Sequence, residues 1–327
     1  MRSYTQLTQG KRYEIRILLK AGYSLSKLAT IIKVHKSTVS RELRRNRGQK
    51  GYRPRQAHQM SLARRYAAPK RIKMTPIMCA LINHFIRQDF SPEQVSGHLA
   101  RKHGLNISHE SIYKHIWTDK RRGGNLYKHL RHSNRKYRKR YGTKQLRGRM
   151  KDRVSIDMRP AVVDAKSRLG DWEIDTITGK NSKGYLITAV ERKSKLTLIK
   201  RVADKQSDQM AKAIIKMLRP YKQHVLTITA DNGREFSRHP KVSKSLQADV
   251  YFAHPFHAWE RGLNENTNGL LRQYFPRKMD FRKIDDSATQ QAMERLNNRP
   301  RKTLSFETPK EVFYKETKNM QTVALAT

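Results

Sequence analysis

Trp172-Glu173-Ile174-Asp175-Thr176 decides the fold of this chain, because two later stretches answer it. They are Thr229-Ala230-Asp231-Asn232-Gly233-Arg234-Glu235-Phe236 and Trp259-Glu260-Arg261-Gly262-Leu263-Asn264-Glu265-Asn266. The first two place an acid on or just after an apolar, β-prone run. The third places an acid in a run with helical character, with thirty-three residues between Asp231 and Glu265. A sheet that presents Asp175 and Asp231 and a helix that presents Glu265 have the make-up of a divalent-metal site. Carboxylates holding two metal ions serve phosphoryl transfer, by activating a water or a 3′-hydroxyl and stabilising the leaving oxygen.

Working outward, the pattern predicts strands over 172–177, 185–190 and 196–201, with turns at Gly184 and Lys193-Ser194. Three short strands with tight turns form an antiparallel meander. A helix over 208–218 follows, then an apolar strand over 225–230 whose end delivers Asp231. A short helix over 242–246, a fifth strand over 250–253 and a long helix over 258–274 complete the order βββαβαβα. That is the order of an RNase H-like α/β core: a mixed five-stranded sheet with helices, whose site belongs at strand ends. On the last helix Arg261, Glu265, Asn268 and Arg272 recur at three- and four-residue spacing and so share a face. Glu265 alone reads equally as a surface acid paired with Arg261. Glu173, Glu235 and Glu260 are the neighbouring acids, and Glu173 shares a strand face with Asp175.

Composition sets the partner. The 327 residues carry 71 Lys+Arg against 27 Asp+Glu, a formal charge of +44. Such a surplus opposes compact folding and favours a polyanion, which is the footprint of a nucleic-acid binder. The sequence has no apolar run near 18 residues and no signal-peptide pattern, so the expectation is a cytoplasmic, nucleoid-associated chain with no membrane contact. The single cysteine, Cys79, excludes an internal disulfide and any multi-cysteine zinc site. The thirteen histidines read as DNA-facing or structural rather than as zinc ligands.

The N-terminal third is helical. Helices are predicted over 12–21, 25–32 and 36–45, with Gly22 ending the first and Ser24 capping the second. Leu28, Ala29, Ile32, Val34, Val39 and Leu43 have helix-turn-helix spacing, although Lys33 stands where the turn glycine is usual. The outer face of the third helix offers Lys36, Ser37, Thr38, Ser40, Arg41, Arg44 and Arg45, types that reach bases and phosphates. Arg261 and Arg272 are further DNA-contact candidates. A second helix-turn-helix-like unit begins with the capping box Ser91-Pro92-Glu93-Gln94 and continues from Ser108. Its outer face is less basic, so packing or dimerisation competes with DNA contact. Between 120 and 153 lie 15 Lys/Arg and one acid, Asp152, interleaved with Tyr127, Tyr137 and Tyr141. That bridge cannot bury enough apolar surface to fold alone. The expected organisation is a helix-turn-helix domain (1–50), a basic linker with one short helix near 56–66 (51–76), the second helical unit (77–119), the basic bridge (120–156), the α/β core (157–316) and a tail (317–327).

The motifs together resemble one family. Glu173-Ile174-Asp175, Asp231-Asn232-Gly233 and the run from Phe252 to Asp280, with Ser40-Arg41-Glu42-Leu43 and Ser91-Pro92-Glu93-Gln94, are similar to the insertion-sequence-30 family of DDE transposases. Within that run lie His254-Pro255-Phe256, Trp259-Glu260-Arg261-Gly262, Asn264-Glu265-Asn266 and Tyr274-Phe275-Pro276. The resemblance covers nearly the whole chain, with Ile174 standing where glycine is expected. It implies Mg2+ or Mn2+ held by Asp175, Asp231 and Glu265, and nicking that frees a 3′-hydroxyl. Strand transfer into target DNA would follow without a covalent protein intermediate. It also implies terminal inverted repeats as ligands and action as a dimer or higher multimer. Two rival readings stay open: a non-catalytic helix-turn-helix regulator, and an RNase H-like nuclease without strand transfer.

Overall fold

The computed structural model of the chain describes residues 6–68, 73–131, 152–255 and 257–326. They divide into two compact units, one ending at Lys73 and one beginning at Met74. The bridge residues 132–151, with Tyr137 and Tyr141, lie outside the described residues.

In the first unit, Thr8 opens α1 (Gln9–Lys20) by accepting the Lys11 N–H. Gly22, at φ +77°, turns the chain, and Ser24 caps α2 (Leu25–Ile31). Lys33 itself adopts the left-handed conformation (φ +55°) that a turn glycine would take, and α3 (Lys36–Asn46) follows. Ile15, Leu28, Ala29, Ile32 and Val39 form the core. Buried Arg12 grips Glu42 through two contacts, at 2.7 and 3.2 Å, so Glu42 faces inward on α3. The segment read as a linker contributes α4 (Pro54–Ala67), longer than the short helix expected. It packs on α1 and α3 and buries Pro54 and Ala57. Alanine at position 57 permits that approach, a tertiary fact its basic surroundings conceal.

The second unit begins with α5 (Pro76–Arg87), α6 (Pro92–His103) and α7 (His109–Arg121). Both halves of the Ser91/Gln94 capping box form. Ile82, Ile86, Val95, Leu99, Ile112 and Ile116 are buried together with Leu126, although Leu126 falls within the stretch expected to be the basic bridge. These helices dock on the rest of their unit. Gly97 lies against the Phe306 ring, where an added Cβ would come within 2.4 Å of the ring. Asp89 accepts from Tyr274 Oη (3.0 Å) and Arg295 Nη1 (2.6 Å). The open choice between packing and DNA contact is thus answered for the α6 face by packing.

The sheet follows: β1 (Val154–Ser155), then α8 (Ala161–Ala165), β2 (Asp171–Thr178), β3 (Tyr185–Glu191), β4 (Thr197–Val202), α9 (Ser207–Leu218), β5 (Thr227–Ala230), α10 (His239–Leu246) and β6 (Asp249–Phe252). After it come α11 (Gly262–Leu271), α12 (Asp286–Asn297) and α13 (Pro309–Ala326). Strand order is β1-β6-β5-β2-β3-β4, with β2, β3 and β4 antiparallel and β1, β6, β5 and β2 parallel. The expected five strands are present, and β1 adds a two-residue edge. Period-two alternation assigns the faces of β2. Trp172 and Ile174 join the core under α9 and α10, while Ile177 joins the one under α11 and α12. Glu173 and Asp175 therefore face α11.

Two elements differ from expectation. The long helix over 258–274 is divided: a 3-10 turn spans Ala258–Arg261, and the α-helix begins only at Gly262. Glu260 explains the break, since its carboxylate accepts from the backbone N–H of His254 and folds the chain back on itself. At the far end, α13 continues through Ala326 where a tail was expected from 317. No helix among the described residues is long and apolar enough to cross a membrane.

Candidate active site

β2 and β5 are neighbouring parallel strands with Asp171 opposite Thr227 and Glu173 opposite Thr229. Continuing that register sets Asp175 beside Asp231, the first residue after β5. Both side chains stay partly open, 22% and 24% exposed. The Asp231 Oδ1 accepts the Gly233 N–H at 2.8 Å, so the Asn232-Gly233 turn orients it. Asp175 is held from two directions. Its Oδ1 accepts the Thr176 N–H at 2.9 Å, and its Oδ2 accepts from Asn268 Nδ2 at 2.7 Å. Asn268 also meets Thr188 Oγ1 of β3 at 3.2 Å, which ties α11 to the sheet at this point.

Arg261 occupies the space between the two aspartates. Its guanidinium lies 3.4 Å from Asp175 Oδ1 and 3.8 Å from Asp231 Oδ2. Burial pushes the Asp175 carboxyl up, against the pull of Arg261, and the nearby Asp231 charge pushes it further. Two hard-oxygen donors, side by side and already drawing a cation between them, fit a divalent ion. Glu265 is exposed on α11, four residues after Arg261 and three before Asn268. With Asp175 and Asp231 it forms no group whose ligand atoms all lie within 4.8 Å; among the described residues His254, His257 and Glu260 form such a group.

The neighbouring acids have other work. Glu173 is buried, with Arg192 Nη1 at 2.6 Å on one oxygen and the backbone N–H of Asn264 at 3.1 Å on the other. It therefore fastens the first turn of α11 to the sheet. Burial raises its carboxyl despite Arg192. Glu235 accepts from Thr176 Oγ1 (3.0 Å) and Lys205 Nζ (2.7 Å). Burial pushes its carboxyl up, but Lys205, a backbone N–H and Thr176 together hold it below its ordinary value. Arg272 turns inward, donating to the carbonyls of Thr178 and Phe275. Asn268 and Arg192 were not singled out as site residues. For Asn268 the helical spacing with Glu265 was the available signal; for Arg192 the sequence carried none. On α3, Lys36, Ser40, Arg41, Arg44 and Arg45 are exposed, and Ser37 and Thr38 are half-buried.

Comparison with known proteins matches both ends of this description. A helix-turn-helix domain family covers residues 3–46 and an integrase core domain family covers residues 165–258, ending before α11. The transposase for insertion sequence element IS4351 of Bacteroides fragilis is 41% identical over 326 residues, spanning 98% of this chain and 98% of its own. The transposase InsI for element IS30A of Escherichia coli (strain K12) is 35% identical, spanning 95% of this chain and 84% of its own. The transposase for element IS1086 of Cupriavidus metallidurans is 33% identical, spanning 94% of each. With relatives along nearly its whole length and an integrase core behind a helix-turn-helix, this chain belongs to the insertion-sequence-30 family of transposases, DNA-binding polynucleotidyl transferases that depend on a divalent metal.

Proposed function

We propose that Asp175, Asp231 and Glu265 are the catalytic acids of this transposase and hold Mg2+, or Mn2+ in its place, while it nicks the terminal inverted repeats of its element and joins them to target DNA. The observation that carries the reading is the pair of partly open carboxylates on two adjacent parallel strands, Asp175 within β2 and Asp231 just past the end of β5, with a cationic side chain between them. In the first step water attacks phosphorus at the element's end. The 3′-oxygen leaves as a hydroxyl, and the 5′-phosphate stays on the flanking strand. In the second step that 3′-hydroxyl attacks a target phosphodiester and the target's own 3′-oxygen leaves. When bound, the metal ions supply positive charge to the attacking and leaving oxygens of each in-line displacement.

The chain's residues prepare that geometry. Asn268 and the Thr176 N–H fix the orientation of Asp175, and Gly233 fixes Asp231. Glu173 sets the register of α11, which carries Glu265. Arg261 yields its place between the aspartates and turns its charge to a DNA phosphate. The exposed α3 face, with Arg41 central, reads the inverted repeats. The basic bridge over 120–156 follows phosphates without sequence preference. Because an element has two ends, a dimer or higher multimer on DNA is the working form.

The test is Mg2+-dependent 3′-end nicking and joining of a terminal-repeat substrate by the full chain and by Asp175→Asn, Asp231→Asn and Glu265→Gln. Each variant should keep DNA binding and lose both products. An active Glu265→Gln chain would remove that residue from the set. Cleaved but unjoined ends in the parent would favour a nuclease. In a parallel binding assay, Arg41→Ala should weaken preference for the repeat by about 1–3 kcal/mol; equal affinity of the parent for scrambled DNA would refute the α3 assignment.

A further inference from the structure

A second cluster of metal-ligand type stands in the turn between β6 and α11. Glu260 Oε1 lies 2.8 Å from His254 Nδ1 and 3.1 Å from His257 Nδ1. All three side chains are part-exposed, at 35%, 43% and 17% for His254, His257 and Glu260. On the far side of the first imidazole, His254 Nε2 meets Asp157 Oδ2 at 2.9 Å. An ionised carboxylate only accepts, so Asp157 selects the tautomer with its proton on Nε2. On binding a cation His254 gives up its Nδ1 proton, and the lone pair so freed shares the space beside Glu260 Oε1 with the His257 Nδ1. Without the ion, imidazole N–H groups donate to Asp157 and to Glu260, which also accepts the His254 backbone N–H; a bound cation takes the place of the shared Nδ1 protons.

From these contacts we propose that His254, His257 and Glu260 form a binding site for Zn2+ or a similar borderline transition cation, separate from the aspartate pair. Zinc takes His nitrogen at about 2.0–2.1 Å and carboxylate oxygen at about 2.0–2.2 Å, which sets neighbouring tetrahedral ligands about 3.3 Å apart. The observed separations of 3.1 and 2.8 Å are shorter than that, so the ligands need to part by only about half an ångström or less. Imidazole donors favour zinc over magnesium, which prefers oxygen. Asp157 on the distal Nε2–H is the partner that a ligating histidine normally has, and it raises the basicity of the coordinating nitrogen. Three ligands leave a fourth position for water, and the partial exposure of the cluster admits it. The bound ion fastens the 3-10 turn Ala258–Arg261 to the end of β6, directly before Arg261 and α11. Its effect is to hold the chain leading into α11, and no step of the reaction passes through it.

The experiment uses the full-length protein, stripped with chelator and equilibrated with Zn2+ in a large excess of Mg2+. Metal content is measured after gel filtration. We expect one zinc per chain in the parent and in Asp175→Asn/Asp231→Asn, and almost none in His254→Ala/His257→Ala. Asp157→Asn should bind about tenfold or more weakly. X-ray absorption at the zinc edge of the unmutated, loaded protein should read two imidazole ligands, and this readout needs no variant to fold. Absence of zinc from the parent, retention by the histidine variant, loss from the aspartate variant or an all-oxygen shell would each overturn the proposal.

Discussion

Glu173 and Asp175 lie two residues apart on one face of β2, under the same helix, and they live differently. Glu173 is enclosed in a network with Arg192 and the N-terminal turn of α11. Asp175, just past the last residue of β2 paired with β5, meets the side-chain amide of Asn268 and a guanidinium that it shares with Asp231. Burial raises both carboxyls. For Glu173 the surrounding donors are spent on holding two elements together. For Asp175 the charge faces a space that a cation can enter. Position along a strand, rather than residue type, separates an acid of the scaffold from an acid of the site.

That contrast breaks most visibly in activity. Asp175→Asn keeps the shape and the Asn268 contact but loses the charge that holds a hard cation. Nicking should fall by about a thousandfold, which is about 4 kcal/mol of transition-state stabilisation. Its stability at neutral pH should not fall. The sign follows from linkage. A carboxyl raised in the folded state contributes stability that is present below the unfolded pKa and lost as pH rises through the folded one, so replacing it removes a cost at pH 7. At subsaturating Mg2+, where protons compete with the ion for Asp175, the same raised value means that nicking by the parent declines on acidification before the ordinary carboxylate range is reached. An activity profile flat down to that range would contradict it.

Glu173→Gln should show the opposite pattern. Although burial raises the Glu173 carboxyl, its loss leaves buried Arg192 only the exposed Asp164, 3.3 Å away, and the chain should lose up to about 3 kcal/mol of stability by denaturant unfolding. Nicking, measured per folded molecule at saturating Mg2+, should fall far less than in Asp175→Asn. Equal losses in both assays would erase the distinction. Glu235 sharpens the comparison from between. Its lysine partner is 36% exposed, so the ion pair is screened, and Glu235→Gln should cost under about 1 kcal/mol and leave most activity.

The sheet was legible because β2, β3 and β4 are runs rich in apolar and β-branched residues, punctuated by Gly184 and Ser194. Asp231 was legible because an apolar run stops just before it. The edge strand β1 was not, since two residues at the end of a basic stretch carry no periodicity. The division of the 258–274 helix was hidden as well, because it depends on Glu260 reaching back to His254. Spacing placed Arg261, Glu265, Asn268 and Arg272 on one face, yet it could not distinguish Arg261 between the aspartates from Arg272 turned to backbone carbonyls. Helix-turn-helix spacing likewise says nothing of Phe306 lying on Gly97, because that contact joins residues more than two hundred positions apart.

Asp175, Asp231 and Glu265 are proposed to hold the divalent ion together. Mn2+ binding by electron paramagnetic resonance, on the full chain bound to terminal-repeat DNA, measures this without requiring turnover. The parent should bind Mn2+ in competition with Mg2+. Asp175→Asn, Asp231→Asn and Glu265→Gln should each lose that binding while remaining folded and on DNA, and Glu173→Gln should retain it. Undiminished Mn2+ binding by any of the three would contradict the account.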